Sequence, residues 1–408
     1  MRNPHKLDPT DNSQPDASAA LPGNIFAAVS AACNHQVPFS RIMAESLYGS
    51  GGYYRSAGNR SIGRAGDFFT SVSVGPLFGE LLARHCLELW QQIGRPERFA
   101  LVEQGAHDGQ LMADLLAAAR ELDPALHKAI DPWIIEPLPE LAEMQETTLG
   151  GTVGSAPSLQ NLPADLSAGL FYCNELVDAF PVARVRHAGD GTWQEFHLTL
   201  DGFQWREPSS ATVKEELSRI SARHNLPEGY ETEIHLDALD WMRALAASPF
   251  SGHVLIIDYG FLEDDYYHSD RTCGTLQAYC DHQKVEIDAS RLGKIDLTAH
   301  VNFSRLLETA KALDMAFLGF QSQSAFLTRL AADWLMDIEK NRDPKQENFS
   351  KRIRQFQTLT HPGMLGSQFH ALGLWKNPSA IPDSAPPLLT AFPQTGETDK
   401  LLRPTPRS

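Results

Sequence analysis

Glu103, Gly105 and Gly109 lie in one short stretch, Glu-Gln-Gly-Ala-His-Asp-Gly, directly after the apolar run at 99–102. A carboxylate at the end of a buried strand offers a fixed negative charge, and glycines let the backbone approach a ligand in conformations that a side chain forbids. The dinucleotide fingerprint needs three glycines as G-x-G-x-x-G, and here His107 holds the middle position. A carboxylate at Glu103 also repels a pyrophosphate, whereas it favours a ligand carrying a sulfonium and an ammonium group. That chemistry points to S-adenosylmethionine, with Glu103, Gly105, Asp108 and Gly109 as its contacts. Glu136 follows a second apolar run, 133–135, about one strand-helix-strand unit further on, where an adenosine site needs an acid to accept both ribose hydroxyls.

A second set, Asn174, Glu175 and Asp178 with Pro181, follows the apolar run 169–173 and so falls at the same sheet edge. Two carboxylates there can orient a guanidinium bidentately and align an acceptor nitrogen for in-line displacement. The same residues also suit an Asn-Glu turn with helix-capping acids, and spacing leaves both readings open. Asp67, Thr70 and Ser71 precede a helix, where they either cover a cofactor or cap that helix. Asp258 and Tyr259 end another strand and are expected to line the pocket from its far side. His300 is read as structural rather than as a general base. Cys273, Cys280 and His282 match no zinc spacing, so no metal is expected.

The elements that would position these groups follow from periodicity. Short helices are predicted at 25–33 and 39–47, then a loop to residue 70, then an amphipathic helix opened by Pro76 with Phe78, Leu81, Leu82 and Leu89 on its apolar side. From residue 99 onward, strands at 99–102, 133–135 and 169–173 alternate with helices at 110–120 and 138–146, which implies parallel βαβ units. Residues 182–187, 193–200 and 202–205 read as antiparallel strands, followed by helices at 213–222 and 237–247 and the strongest strand, 253–259. Helical segments at 303–313, 324–336 and 347–357 lead to a closing strand at 367–375. The expected fold is α/β, a Rossmann-like sheet with added N-terminal helices, an antiparallel insertion and a helical block. Its expected divisions are a disordered tail 1–22, N-terminal helices and a cofactor-covering loop 23–75, a core 76–300 with the insertion at about 182–250, a helical block and closing strand 301–376, and a Pro-rich disordered tail 377–408.

The 408 residues carry a formal charge of −16, which disfavours nucleic-acid binding because phosphate neutralisation needs clustered Lys and Arg. An acidic surface tolerates a basic protein substrate. The five cysteines show no framework spacing, as expected in a reducing compartment. No apolar run reaches membrane-spanning length, and Asp8, Asp11 and Asp16 stand where a signal or transit peptide would be apolar or Arg-rich, so a cytoplasmic location is expected.

Several strings together resemble a known family: Gly52-Tyr53-Tyr54, Gly66-Asp67-Phe68-Phe69-Thr70-Ser71, Phe78-Gly79-Glu80, Leu101-Val102-Glu103, Asn174-Glu175-Leu176-Val177-Asp178-Ala179-Phe180-Pro181-Val182, Ile256-Ile257-Asp258-Tyr259-Gly260, Gly274-Thr275-Leu276 and Asp296-Leu297-Thr298-Ala299-His300-Val301. In this order, over roughly 39–375, they resemble the MidA-like family of class I methyltransferases. The resemblance implies a class I methyltransferase sheet and an S-adenosylmethionine cofactor. It implies contacts to that cofactor from Glu103, Gly105, Gly109 and Glu136, closure by the loop 66–71, and an acceptor facing Asn174, Glu175 and Asp178. It further implies a protein arginine as acceptor, in mitochondrial members an arginine of a respiratory complex I subunit, and leaves a homodimer open. The chain departs from the family turn Glu-Leu-Gly-Pro-Gly-Arg-Gly, with Ala106, His107 and Asp108 in place of Pro, Gly and Arg. His107 then either crowds the methionine moiety or points outward. Two rival functions are a non-catalytic assembly factor using the fold for docking and a small-molecule methyltransferase.

Overall fold

A computed structural model describes residues 21–55, 70–280, 283–340, 347–376 and 386–393. Its centre is a sheet of seven long-path strands, β1 (Phe99–Gln104), β2 (Ile130–Ile135), β3 (Gly154–Ala156), β4 (Ala168–Asn174), β5 (Ser251–Phe261), β6 (Ala316–Ser322) and β7 (Phe369–Lys376). The spatial order is 3-2-1-4-5-7-6. Strands 1 to 5 pair in parallel, and β7 runs antiparallel to both β5 and β6. This is the doubly wound order with an extra antiparallel strand wedged between the fifth and sixth. The near-continuous apolar runs of β1, β4 and β5 follow from burial on both faces, as parallel strands between helical layers require.

Helix Leu77–Gln92 carries Leu77, Leu81, Leu82, Cys86 and Leu89 into one face of the sheet, where helices Gln110–Leu122 and Gln323–Leu330 share a core with β1 and β4. Each such fully buried side chain stabilises the fold by roughly 1.5–3 kcal/mol. Helices Leu236–Ala247 and Phe303–Ala312 cover the opposite face through Leu239, Met242, Phe303 and Leu306. The antiparallel insertion is a separate small sheet of Ala183–His187, Trp193–Thr199, Gly202–Arg206 and Glu231–Ile234, with Gln36–Pro38 from the N-terminal region added at its edge. Helix Phe39–Tyr48 packs Ile42, Met43 and Leu47 into a core with Val182, Leu198, Leu297 and Ala299, so the N-terminal segment bridges the insertion and the loop before residue 300. Among the described residues no helix is long and apolar enough to cross a membrane.

Three expectations are corrected. The core does not end at residue 300, because β6 and β7 are central-sheet strands in which Phe317, Gly319 and Phe320 pair with Leu374, Gly373 and Leu372. The segment 316–322 escapes a periodic reading because its burial is mixed and a register shift falls between Phe317 and Gly319. The helix expected at 324–336 is two, Gln323–Leu330 and Ala332–Lys340, separated at Ala331. The tail expected from 377 is ordered in part: Leu389, Ala391 and Phe392 are buried, and the Phe392 ring packs against His85, His253 and Phe326. A few apolar side chains in a Pro-rich segment suffice once a matching apolar surface exists. Residues 1–20, 377–385 and 394–408, on which the rest of the two tail expectations falls, lie outside the described residues.

Candidate active site

Above the carboxyl ends of β1, β2, β4 and β5 opens a cavity of about 610 Å³. Its floor is the turn after β1, where Gly105 (φ 79°), His107 (φ 48°) and Gly109 (φ 82°) alternate in the left-handed region. A Cβ at Gly105 would lie 3.1 Å from Leu176 Cδ1, and one at Gly109 would lie 3.0 Å from Leu149 Cδ1, so both glycines serve close packing as well as backbone geometry. His107 occupies the middle left-handed position with a side chain, at a cost of about 1–2 kcal/mol. Its carbonyl accepts from Gln145 Nε2 at 2.9 Å, and the same nitrogen donates to Glu136 Oε2 at 3.1 Å. The Leu138 amide donates to Glu136 Oε1 at 2.8 Å. One glutamine thus ties the turn to the acid at the end of β2.

Glu103 is buried and accepts from the Tyr172 hydroxyl at 2.9 Å. Burial pushes its carboxyl up to about 8 against the opposing pull of that hydrogen bond. Glu136 is raised by the same cause, opposed by the Leu138 amide and Gln145. For Asp108 burial acts upward, but His107 and the Gln110 amide, which donates to Oδ1 at 3.0 Å, outweigh it and leave the carboxyl below its ordinary value. Asp108 therefore stays ionised at the mouth of the helix Gln110–Leu122.

The other end of the cavity is built from the loop after β4. Asn174 Nδ2 donates to Glu175 Oε1 at 3.0 Å, and Glu175, itself at φ 53°, donates its amide to the Ile257 carbonyl at 2.9 Å. Burial first, then the neighbouring Asp178 charge, pushes Glu175 up to about 8. Asp178 is also raised by burial, with the Tyr259 hydroxyl beside it acting in the opposite direction. The buried Asn174 Oδ1 and Asp178 Oδ1 have no hydrogen-bond partner in the protein. Tyr48 donates to the Ala179 carbonyl at 2.8 Å, stacks on Tyr54 at 5.5 Å between ring centroids, and Tyr54 donates to Asp296 Oδ1 at 3.2 Å. Carboxyls and tyrosine faces thus surround one volume, a setting that favours cations.

Glu103, Gly105, Asp108, Glu136, Asn174, Glu175, Asp178 and Thr70 border this cavity, whereas Gly109, expected as a cofactor contact, is not among the lining residues: it caps helix Gln110–Leu122 and packs against Leu149. Thr70 does so while capping a short turn, since its Oγ1 accepts from the Ser73 amide at 3.3 Å. Asp67 and His282 lie outside the described residues. Asp258 does not line the cavity as expected: it is fully buried, and its Oδ2 accepts from the Val177 and Asp178 amides at 2.9 and 3.3 Å. It holds the loop that presents Asp178. Tyr259 does line the cavity. His300 stacks on Phe261 at 5.1 Å and is not among the residues that line the cavity. Residues that sequence reasoning did not single out as site residues include Gln145, Tyr48, Tyr54 and Asp296; Tyr54 and Asp296 stand within strings that carried the family resemblance, which was the available signal.

An S-adenosyl sulfonium fits these residues. Two orphaned buried oxygens face a volume lined by carboxyls at one end, and an acid paired to backbone and amide groups sits where a ribose would be held at the other. Sheet order, strand-end acids and cavity together define a Rossmann-like S-adenosylmethionine-dependent methyltransferase. The chain belongs to the family described as "Putative S-adenosyl-L-methionine-dependent methyltransferase", whose model matches residues 81–321. It is 26% identical over 355 residues to protein arginine methyltransferase NDUFAF7 of Rattus norvegicus, covering 79% of this chain and 77% of the relative. The Drosophila melanogaster homologue is 28% identical, with 83% and 81% covered. A crystal structure of a superfamily member from Burkholderia thailandensis, bound to S-adenosyl-homocysteine, matches with a TM-score of 0.75 at 29% identity over 88% of this chain and 91% of that one. The rat, human and bovine relatives are named as mitochondrial proteins, which overturns the cytoplasmic expectation.

Proposed function

We propose that the enzyme methylates a guanidinium nitrogen of an arginine in a protein acceptor, with Glu103, Gly105, Asp108 and Glu136 holding the cofactor and Asn174, Glu175 and Asp178 holding the acceptor. The observation that carries this reading is the convergence of Glu175, Asp178 and the rings of Tyr48, Tyr54 and Tyr259 on the same cavity as the turn after β1. The names of the rat and fly relatives, protein arginine methyltransferases, support it. When bound, S-adenosylmethionine supplies an electrophilic methyl carbon on its sulfonium.

Guanidinium is protonated in proteins, so the acceptor nitrogen must shed a proton as it attacks. Asp178 and Glu175 pair with the guanidinium, orient it bidentately, and one of them receives that proton. Burial holds both carboxyls above their ordinary values, and an arriving cation draws them back to the ionised form. Asn174, bonded to Glu175 through Nδ2, offers its unpartnered Oδ1 as a further acceptor for a guanidinium N–H. Asp258 keeps Asp178 in place by holding its amide.

Mass spectrometry of arginine methylation in cells with the wild-type protein, without it, and with Asp178→Asn tests the reading. A methylarginine site that vanishes in the last two supports it, and respiratory-complex subunits are the first acceptors to inspect. Loss of a methylated metabolite with an unchanged methylarginine profile overturns it in favour of a small-molecule acceptor.

A further inference from the structure

We propose that the His107 side chain binds the carboxylate at the methionine end of the cofactor, so that the departure from glycine adds a ligand to the site rather than blocking it. The three left-handed positions of the turn divide in function. Missing side chains at Gly105 and Gly109 make room for Leu176 and Leu149, whereas the middle position carries a ring that borders the cavity with 16% of its side chain exposed. A strained residue retained at a cavity wall is a sign of use.

The ring also has bonding capacity to spare. His107 Nδ1 makes no hydrogen bond within the protein, and its one charged neighbour, Asp108 Oδ1, stands at an ion-pair distance of 4.0 Å, through which the ring helps keep Asp108 ionised. Among the described residues that line the cavity, His107 is the only basic side chain; the other ionisable groups are carboxyls and tyrosines. Such a lining suits the sulfonium and ammonium of the cofactor, and among the described lining residues only His107 can offer its carboxylate a basic partner. Gln145 ties the His107 carbonyl to Glu136 through two hydrogen bonds, which fixes the backbone that carries the imidazole relative to the acid assigned to the ribose. A charge-assisted bond from an imidazolium there answers the one anionic group of the ligand.

The charged groups around the ring are Asp108 on its own turn, Glu136 at the end of β2, and Glu140 behind Glu136 on helix Pro139–Leu149, with Glu103 beneath the turn. Burial pushes the Glu103 and Glu175 carboxyls up to about 8, so the contribution of His107 is read as a difference between variants.

The proposal rests on the placement of the cofactor over this turn. Calorimetry on the full chain with S-adenosyl-homocysteine and with S-adenosyl-3-thiopropylamine, which keeps the ammonium and lacks only the carboxylate, tests both levels. His107→Gln and His107→Gly should weaken S-adenosyl-homocysteine roughly tenfold and leave the amine analogue within about twofold. His107→Gly relieves the left-handed strain, so a folding failure does not stand in the way. Equal losses for both ligands, or tighter S-adenosyl-homocysteine binding by His107→Gly, overturn the role of His107. Unchanged affinity of both ligands in Glu136→Gln instead overturns the placement of the cofactor itself.

Discussion

The end of the cavity proposed to hold the cofactor comes mainly from one stretch, residues 103–141, whereas the end proposed to hold the acceptor draws on helix Phe39–Tyr48 and the turn after it, the loop after β4, the end of β5 and the strand Asp296–Thr298. The first is held by backbone geometry and one bridging glutamine. The second depends on side chains reaching across long separations, as when Tyr54 meets Asp296 and Asp258 holds the amides of Val177 and Asp178. The contrast separates two kinds of vulnerability: substitutions at the first should act on cofactor affinity, and those at the second on acceptor handling with the cofactor still bound.

The largest expected effect that tests this division is Gly105→Arg. At φ 79°, with Leu176 3.1 Å from any Cβ, the arginine must strain the turn and fill the cavity, so S-adenosyl-homocysteine affinity should fall at least about 100-fold by calorimetry. Retained binding would separate the turn from the cofactor. Next comes Asp178→Asn, which removes a proton acceptor and should lower kcat about 10²–10³-fold while cofactor Kd moves less than about twofold. A parallel loss of cofactor affinity would merge the two ends into one.

Glu136→Gln should do the reverse on a smaller scale, raising cofactor Kd about tenfold with kcat at saturating cofactor nearly unchanged. The smallest effect is on stability. A carboxyl whose folded value is raised above its unfolded one loses stability as pH rises from the unfolded value toward the folded one, and for Glu175 that window runs from 4.5 to about 8. Glu175→Gln should therefore raise Tm by about 2 °C at pH values near 8.5 and leave it unchanged near pH 4, by differential scanning calorimetry. A wild type equally stable across that range would show that water reaches the carboxyl freely.

Much of the cofactor end was legible because its signals are local. A strand that ends in Glu103, two glycines and a second strand that ends near Glu136 follow from burial period and backbone sterics alone. Less of the acceptor end was legible. Asn174, Glu175 and Asp178 suited a capped turn as well as a binding loop, and only the cavity shows them lining one volume with Tyr48, Tyr53, Tyr54 and Tyr259. Asp258 looks from its position like a pocket residue, yet its carboxylate is used up by backbone amides.

The sequence by itself determined the alternation of elements, the Rossmann-like class and the acid-and-glycine turn, since short-range sterics and the period of apolar residues dictate these whatever the chain does elsewhere. Tertiary structure decided the rest. It wedged β7 antiparallel between β5 and β6, drew Phe392 from a Pro-rich tail onto His85 and His253, and turned the His107 ring toward the cavity. Each of these outcomes depends on which distant surfaces meet, and a contact between residues far apart in the chain leaves no period in the sequence that could announce it.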